Sequence, residues 1–208
     1  MISIVIPVYN EEKAIEATVK QFAALREPHE VIVSDTLSTD GTVKIAQACA
    51  DQCVVMKAGE KRGVSRGRNN GARVAKGEFI VFLDNDTKIP DINIFFEKAL
   101  ARFKKDPGLL GLSCRVEVDP GVRSFCYWLI FVGLNVFFAI FFSLFGYGAA
   151  AGKFMMMRTD AFKKTGGFNE LLPAAEDMDL FRRLSKNGRT RIAWDLVVYH
   201  SGRRFHQL

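Results

Sequence analysis

Short apolar runs alternate with segments of helical periodicity along most of the chain. The first strand-like runs lie at residues 2–7, 30–34, 53–57, 79–83 and 109–118. Two more, at 153–160 and 191–200, flank a helix predicted from about 175 to 186. Strands that alternate with helices are typical of parallel pairing, so the pattern predicts an α/β fold with a mostly parallel central sheet flanked by helices.

The run at residues 79–83 ends in Asp84-Asn85-Asp86. A buried strand that ends in two carboxylates places negative charge at the edge of the sheet where open α/β folds bind ligands. Two aspartates one residue apart can hold a hard divalent cation through oxygen ligands. The same tripeptide is also favourable turn chemistry. On these residues alone, a metal site and a solvated turn remain alternatives.

Composition narrows the class of protein only in part. The 208 residues are 49% hydrophobic, enough for one domain with a large core, and the net charge is +6. That charge suits anionic small molecules, membrane surfaces or nucleic acid. Arg62, Arg66 and Arg68 cluster in one glycine-containing loop, whereas a nucleic-acid surface predicts basic residues spread along a face. The cysteines lack the spacing of a metal site, so we expect them to be reduced thiols in the cytosol.

Several further segments, in order, match the motifs of a known family. They are IVIPVYNEE at 4–12, VIVSDTLSTDGT at 31–42, GVSRGRNNG at 63–71, GEFIVFLDND at 77–86, FKKTGGFNE at 162–170, EDMDL at 176–180 and VVYH at 197–200. Together they resemble the family 2 inverting glycosyltransferases, which have the Rossmann-like A-type nucleotide-sugar fold. The resemblance covers nearly the whole chain except about 120–150.

The resemblance implies a donor site for a nucleoside-diphosphate sugar in the first half of the chain. It assigns Asp35 to the nucleobase, with Thr36 where the family usually has a second acid, so the identity of the base stays open. The arginine loop is expected to bind phosphate oxygens. The donor-binding residues so predicted are Pro7, Tyr9, Asn10, Glu11, Asp35, Arg62, Arg66, Arg68 and Asp84.

The resemblance also implies Mg²⁺ or Mn²⁺ on the diphosphate, with Asp86 as a direct ligand and Asp84 on the ribose, the metal or its water. His200 is either a third ligand or simply hydrogen-bonded. Asp177, beside Glu176, is implied to be the base that takes the proton of an acceptor hydroxyl. Alternatively, these acids only stabilise a helix start. If the acceptor is a phosphate, Asp177 would orient it.

Residues 124–152 contain no charged side chain and are long enough for a membrane span, which takes roughly 20 residues. A single crossing would put Asp86 and Asp177 on opposite sides of the membrane, although they must share one site. The segment is therefore expected to dip into one leaflet, or to form a dimer interface or a buried helix pair. The flanking Arg123, Lys153 and Arg158 suit anionic headgroups.

These features predict a single domain, 1–208, with a nucleotide-sugar-binding half (1–119), an apolar helical insertion (120–152) and an acceptor half (153–208). The predicted function is metal-dependent inverting transfer of a sugar to a lipid-linked acceptor, such as a polyprenyl phosphate, at the cytoplasmic face of a membrane. A soluble or polymeric glycan acceptor and a non-catalytic nucleotide-sugar-binding protein are the alternatives. No nucleic-acid partner is expected, and a homo-oligomer through 124–151 is the alternative to membrane contact.

Overall fold

The computed structural model of the chain describes residues 1–122 and 152–201, together with Gly133 and Val136. The described strands are β1 (Ile2–Val8), β2 (His29–Asp35), β3 (Gln52–Val55), β4 (Phe79–Leu83), β5 (Thr87–Lys88), β6 (Leu109–Val118), β7 (Phe154–Arg158) and β8 (Arg189–His200). The described α-helices are α1 (Ile15–Lys20), α2 (Thr42–Cys49), α3 (Val64–Val74), α4 (Ile92–Lys105), α5 (Thr159–Lys164) and α6 (Glu176–Ser185).

The described strands form one mixed sheet in the order β3-β2-β1-β4-β7-β6-β8-β5. The pairs β1–β2, β1–β4, β2–β3 and β6–β8 are parallel. β7 runs antiparallel to both β4 and β6, and β5 runs antiparallel to β8. The prediction of a mostly parallel sheet with flanking helices is confirmed. The sheet is mixed because β7 inserts in the opposite direction between β4 and β6.

Both faces of the sheet are buried, which explains the continuous apolar runs in its central strands. In β4, Val81 and Leu83 join the core cluster on the face covered by α1 and α4. Ile80 and Phe82 join the cluster on the opposite face, with apolar side chains of α3, α5 and α6. Of these helices, α3 and α6 begin near the carboxyl ends of β1 and β4.

Two glycines bring α3 close to the sheet. A Cβ atom at Gly71 would lie 2.4 Å from Cγ1 of Val5, and one at Gly67 would lie 2.8 Å from Cγ2 of Thr36. Such distances are well inside van der Waals contact, so a side chain at either position would push the helix outward. The glycines therefore fix how deeply the arginines of α3 reach toward the ends of the strands.

The first helix begins later than its sequence signals indicate. Asn10-Glu11-Glu12, an asparagine followed by two acids, is a typical helix start, but α1 begins at Ile15. Asn10 has a positive φ of 51°, and its side-chain oxygen accepts a hydrogen bond from the backbone N–H of Thr39 at 2.8 Å. The backbone N–H of Asn10 donates to Oγ of Ser38 at 2.8 Å. These contacts tie the loop after β1 to the loop after β2 and delay the helix.

Most of the predicted apolar helical insertion at 120–152 lies outside the described residues. So do its proposed contact with a membrane and the alternative oligomer interface through 124–151. Within 1–122 and 152–201, no helix is both long and apolar enough to cross a bilayer.

Candidate active site

A cleft of about 550 Å³ opens at the carboxyl ends of β1 and β4. Its walls come from the end of β1, the start of α3, the tripeptide after β4 and the first residue of α6. The lining residues are Pro7, Val8, Tyr9, Glu11, Thr36, Arg62, Gly63, Val64, Arg68, Asp84, Asn85, Asp86, Gly152 and Glu176. The cleft lies where an open α/β sheet is expected to bind a ligand.

The tripeptide after β4 is both a turn and a pair of aligned acids. The backbone N–H of Thr87 donates to the carbonyl oxygen of Asp84 at 3.0 Å, which closes the turn. Oδ2 of Asp84 and Oδ1 of Asp86 lie 3.2 and 2.8 Å from the ammonium nitrogen of Lys153. The two alternatives from the sequence, a turn and a cation site, are therefore compatible.

The remaining oxygens of the two carboxylates are also engaged. Oδ1 of Asp84 accepts from Nη2 of Arg68 at 3.0 Å, and Oδ2 of Asp86 lies 3.1 Å from Nε2 of His200. Burial alone would raise the pKa of Asp86, but the hydrogen bond with His200 and the charge of Lys153 outweigh it, so this pKa lies well below its usual range. Asp86 is therefore an anion throughout the neutral range.

Arg68 joins the two halves of the site. Its guanidinium donates to Oε1 of Glu176 at 2.7 Å, to Asp84 and to the carbonyl oxygen of Gly152 at 3.1 Å. The side chain is almost completely buried, and its Cζ lies 5.2 Å from the centre of the Phe168 ring. A buried guanidinium with several fixed acceptors holds those acceptors in place.

Asp177 stands beside the cleft at the start of α6. Its Oδ2 accepts from the backbone N–H of Gly152 at 2.7 Å and its Oδ1 from that of Met178 at 2.8 Å. Burial raises the pKa of Asp177 against the opposing effect of these hydrogen bonds. Ala175, immediately before the helix, has a φ of 60°. This left-handed turn is strained for a residue other than glycine, and such strain often accompanies functional sites.

The acids and His200 have the donor chemistry that a hard divalent cation prefers. The ammonium of Lys153, held by one oxygen from each aspartate, marks a position that accepts positive charge. Within the described ranges, no group of three or more acidic, histidine or cysteine side chains is arranged around a common metal position. The reason is visible in the contacts: the carboxylate oxygens point toward Lys153, Arg68 and His200.

The other predicted donor residues occupy three kinds of position. Pro7, Tyr9, Glu11 and Arg62 line the cleft, and Cζ of Arg62 lies 4.0 Å from the centre of the Tyr9 ring. Asn10, described above, joins two loops. Asp35 and Arg66 do not line the cleft, and neither does His200, which was predicted as a metal ligand.

Asp35 is fully buried, and its Oδ1 accepts from the backbone N–H of Ser38 at 2.9 Å. Its Oδ2 has no hydrogen-bond partner among the described residues. Arg66 points away and donates to Glu170 at 2.8 Å and to the carbonyl oxygen of Lys61 at 2.7 Å. The nucleobase role of Asp35 and the phosphate role of Arg66 stay predictions.

Lys153 and Gly152 belong to the site but were not among the predicted site residues. β7 begins at Phe154, which pairs with Leu83 of β4, and the backbone N–H of Asp84 donates to the carbonyl oxygen of Lys153 at 3.3 Å. The sequence signal was a lone lysine at the start of a strand. Its neighbour in the sheet could not be read from that signal.

Comparison with known proteins decides the family. Residues 3–166 match the family described as "Glycosyl transferase family 2". The chain belongs to glycosyl transferase family 2. The resemblance seen in the sequence motifs is thus confirmed at the level of the family.

Individual relatives of this family 2 chain are named for different glycan products or acceptors. The chain is 36% identical over 90 residues to the Escherichia coli UDP-Glc:alpha-D-GlcNAc-diphosphoundecaprenol beta-1,3-glucosyltransferase WfaP, a match that covers 41% of this chain and 35% of that protein. It is 30% identical over 201 residues to Escherichia coli chondroitin synthase, covering 90% of this chain and 27% of that protein. The chain thus spans only about a third or less of these relatives' lengths.

A solved structure supports the fold. The Pyrobaculum calidifontis mannosyltransferase PcManGT in complex with GDP-Man and Mn²⁺ superposes with a TM-score of 0.76 at 22% identity. The match covers 96% of this chain and 56% of that one. The predicted A-type nucleotide-sugar fold is therefore confirmed for the described elements.

Proposed function

We propose that this chain is the catalytic domain of a metal-dependent inverting glycosyltransferase that moves a sugar from a nucleoside-diphosphate sugar to a lipid-linked acceptor. The observation that carries the proposal is the double contact of Arg68, which holds Asp84 and Glu176 at one cleft. This contact brings the acid pair after β4 beside the acids of α6. Membership of glycosyl transferase family 2 supports a transferase over a non-catalytic binding protein.

The donor side of the cleft suits an anionic, sugar-bearing nucleotide. Arg62 lies over Tyr9 at the mouth, where its guanidinium can bind phosphate oxygens. Asp84, Asp86 and His200 would hold Mg²⁺ or Mn²⁺, which when bound neutralises the charge of the leaving diphosphate. The base is left open, because one relative is named for UDP-Glc and the mannosyltransferase structure contains GDP-Man.

Asp177 is the proposed base for a hydroxyl acceptor. The acceptor oxygen would form a bond to the anomeric carbon as the bond to the diphosphate oxygen breaks, and the hydroxyl proton would pass to Asp177. Each carboxylate oxygen of Asp177 accepts one backbone hydrogen bond and retains a second lone pair. The raised pKa of Asp177 makes it a stronger proton acceptor than an exposed aspartate.

A lipid-linked acceptor is supported by the name of WfaP, which specifies a diphosphoundecaprenol-linked sugar. The charge-free residues 124–152 and the basic residues beside them favour work at a membrane surface, for which we propose the cytoplasmic face. A polymeric glycan is the second candidate acceptor, because the match to chondroitin synthase extends over most of this chain.

The test is a transfer assay with the purified chain. UDP- and GDP-sugars are each supplied with Mn²⁺, Mg²⁺ or EDTA, and polyprenyl phosphate, a lipid-linked diphosphate sugar and a soluble glycan are compared as acceptors. Metal-dependent transfer to either lipid, with inversion at the anomeric carbon, supports the proposal. Transfer to the glycan alone favours the second candidate. Absence of donor binding in a thermal-shift screen under every condition would refute both.

A further inference from the structure

We propose that the ammonium of Lys153 occupies the cation position between Asp84 and Asp86 and must leave when a divalent cation binds. Lys153 would then be a positioning residue that sets the metal affinity of the site. The inference rests on the metal site of the proposed function, and it concerns a residue that neither the sequence motifs nor the family match assigns.

The contacts around the acid pair show why an exchange is required. Each of the four carboxylate oxygens has a cationic or imidazole partner within the chain. Among the described residues, Lys153 alone contacts both aspartates, through Oδ2 of Asp84 and Oδ1 of Asp86. A divalent cation bound by both acids needs an oxygen from each, so it would compete directly with this ammonium.

Among the three partners, Lys153 is the one that can leave at least cost. The side chains of Arg68 and His200 are 3% and 7% exposed, whereas that of Lys153 is 19% exposed. Arg68 is also held by Glu176 and Gly152. Lys153 is a point charge on a flexible four-carbon stem, and its ammonium can swing toward solvent without losing any other contact that the described residues provide.

The exchange has an energetic consequence in both directions. Without metal, the ammonium offsets the repulsion between two carboxylates that share a partly buried site. When a metal ion binds, the ammonium moves away, and the charge of the ion compensates the two carboxylates instead. Lys153 therefore stabilises the metal-free site and weakens cation binding by competition.

The experiment compares Mn²⁺ affinity in the purified full chain without any donor, by electron paramagnetic resonance of free Mn²⁺. Lys153→Met and Lys153→Gln remove the charge, and Lys153→Arg keeps it. Lys164→Met is the matched control, because Lys164 pairs with Asp160 at 3.5 Å on an exposed helix surface. We expect Kd to fall at least about tenfold in both charge-removing variants, equivalent to about 1.4 kcal/mol. The Lys153→Arg and Lys164→Met variants should stay close to the wild type.

Mn²⁺ binding in Lys153→Gln and Lys153→Met that is equal to or weaker than in the wild type would overturn the proposal. So would the absence of Mn²⁺ binding in the wild type and in both variants. Binding that appears only after the charge is removed would support it. Melting temperatures in EDTA and in Mn²⁺ give an independent readout: the charge-removing variants should be less stable than the wild type without metal and gain more from it. A variant with tighter Mn²⁺ binding but no sugar transfer would count against the proposed function alone.

Discussion

Replacing Arg68 with methionine should destabilise the fold by about 3 kcal/mol, because breaking a buried ion pair leaves its partners uncompensated. The side chains of Asp84 and Glu176 are 25% and 14% exposed, so water relieves part of the cost. Asp84 also keeps its contact with Lys153. These two facts place the expected value at the low end of the roughly 3–5 kcal/mol range for buried pairs.

A matched control lies on the same helix. Arg66 forms one ion pair with Glu170, and both side chains are partly exposed. Because water reaches both partners, Arg66→Met should cost less than Arg68→Met, about 1 kcal/mol, at the upper end of the range for exposed pairs. Combining Arg68→Met with Asp84→Asn and Glu176→Gln should recover part of the loss, since no unpaired charge remains.

Urea denaturation followed by circular dichroism measures these differences, and an unchanged m-value would show that the variants unfold from the same compact state. If Arg68→Met and Arg66→Met were equally stable, Arg68 would not be the connection between the two halves of the site. A triple variant no more stable than Arg68→Met would show that the cost comes from lost packing against Phe168 rather than from unpaired charge.

Other expected outcomes concern the base, the acid pair and the loop before α6. Asp177→Asn should retain donor binding by thermal shift and lose transfer to a hydroxyl acceptor; full turnover would exclude it as the base. The folded-state pKa of Asp86 lies below its unfolded value, so its stabilising contribution is present at neutral pH and is lost as pH falls below about 5. Asp86→Asn should thus be less stable at pH 7 and show a flatter acid limb in a stability–pH profile; an unchanged limb would contradict this. Gly167→Ala should cost more than Gly166→Ala in the same urea assay. Both positions have positive φ, a strain of roughly 1–2 kcal/mol for alanine, but only at Gly167 would the new Cβ meet Oδ1 of Asn69, at 2.7 Å. Equal losses of stability in the two variants would show that the side chain of Asn69 moves aside at no cost.

The acid pair was predictable because its position follows from local sequence. The residues of β4 are all buried, and a run of apolar residues that ends in aspartate can only place those acids at the end of the strand. The parallel pairing of β1 with β4 then brings Pro7 and Tyr9 to the same edge. Here, the identity and the end of the strand determine where the two acids lie.

The arginine loop shows where such reasoning stops. Arg66 and Arg68 were predicted to share a phosphate-binding role because they are close in sequence. In a helix, however, residues two positions apart point in nearly opposite directions, about 160° apart. Since α3 begins at Val64, Arg68 faces the cleft and Arg66 faces Glu170. Separating Arg68, which reaches the cleft, from Arg66 required the start of the helix to within one residue, which glycine-rich segments do not reveal.

Lys153 was out of reach for a different reason. The sequence predicted a strand after the apolar segment and assigned its first lysine to anionic headgroups, but it did not give the direction of that strand or its neighbour. Because β7 runs antiparallel to β4, the start of one strand meets the end of the other, and Lys153 falls beside Asp84.

Electrostatics alone could have anticipated a cationic partner for the two aspartates. Two carboxylates that share a partly buried site repel each other, so a nearby positive charge favours keeping both ionised when no metal is bound. A cationic partner could therefore be anticipated from Asp84 and Asp86, whereas the residue that provides it depends on a strand pairing made across a distant part of the chain.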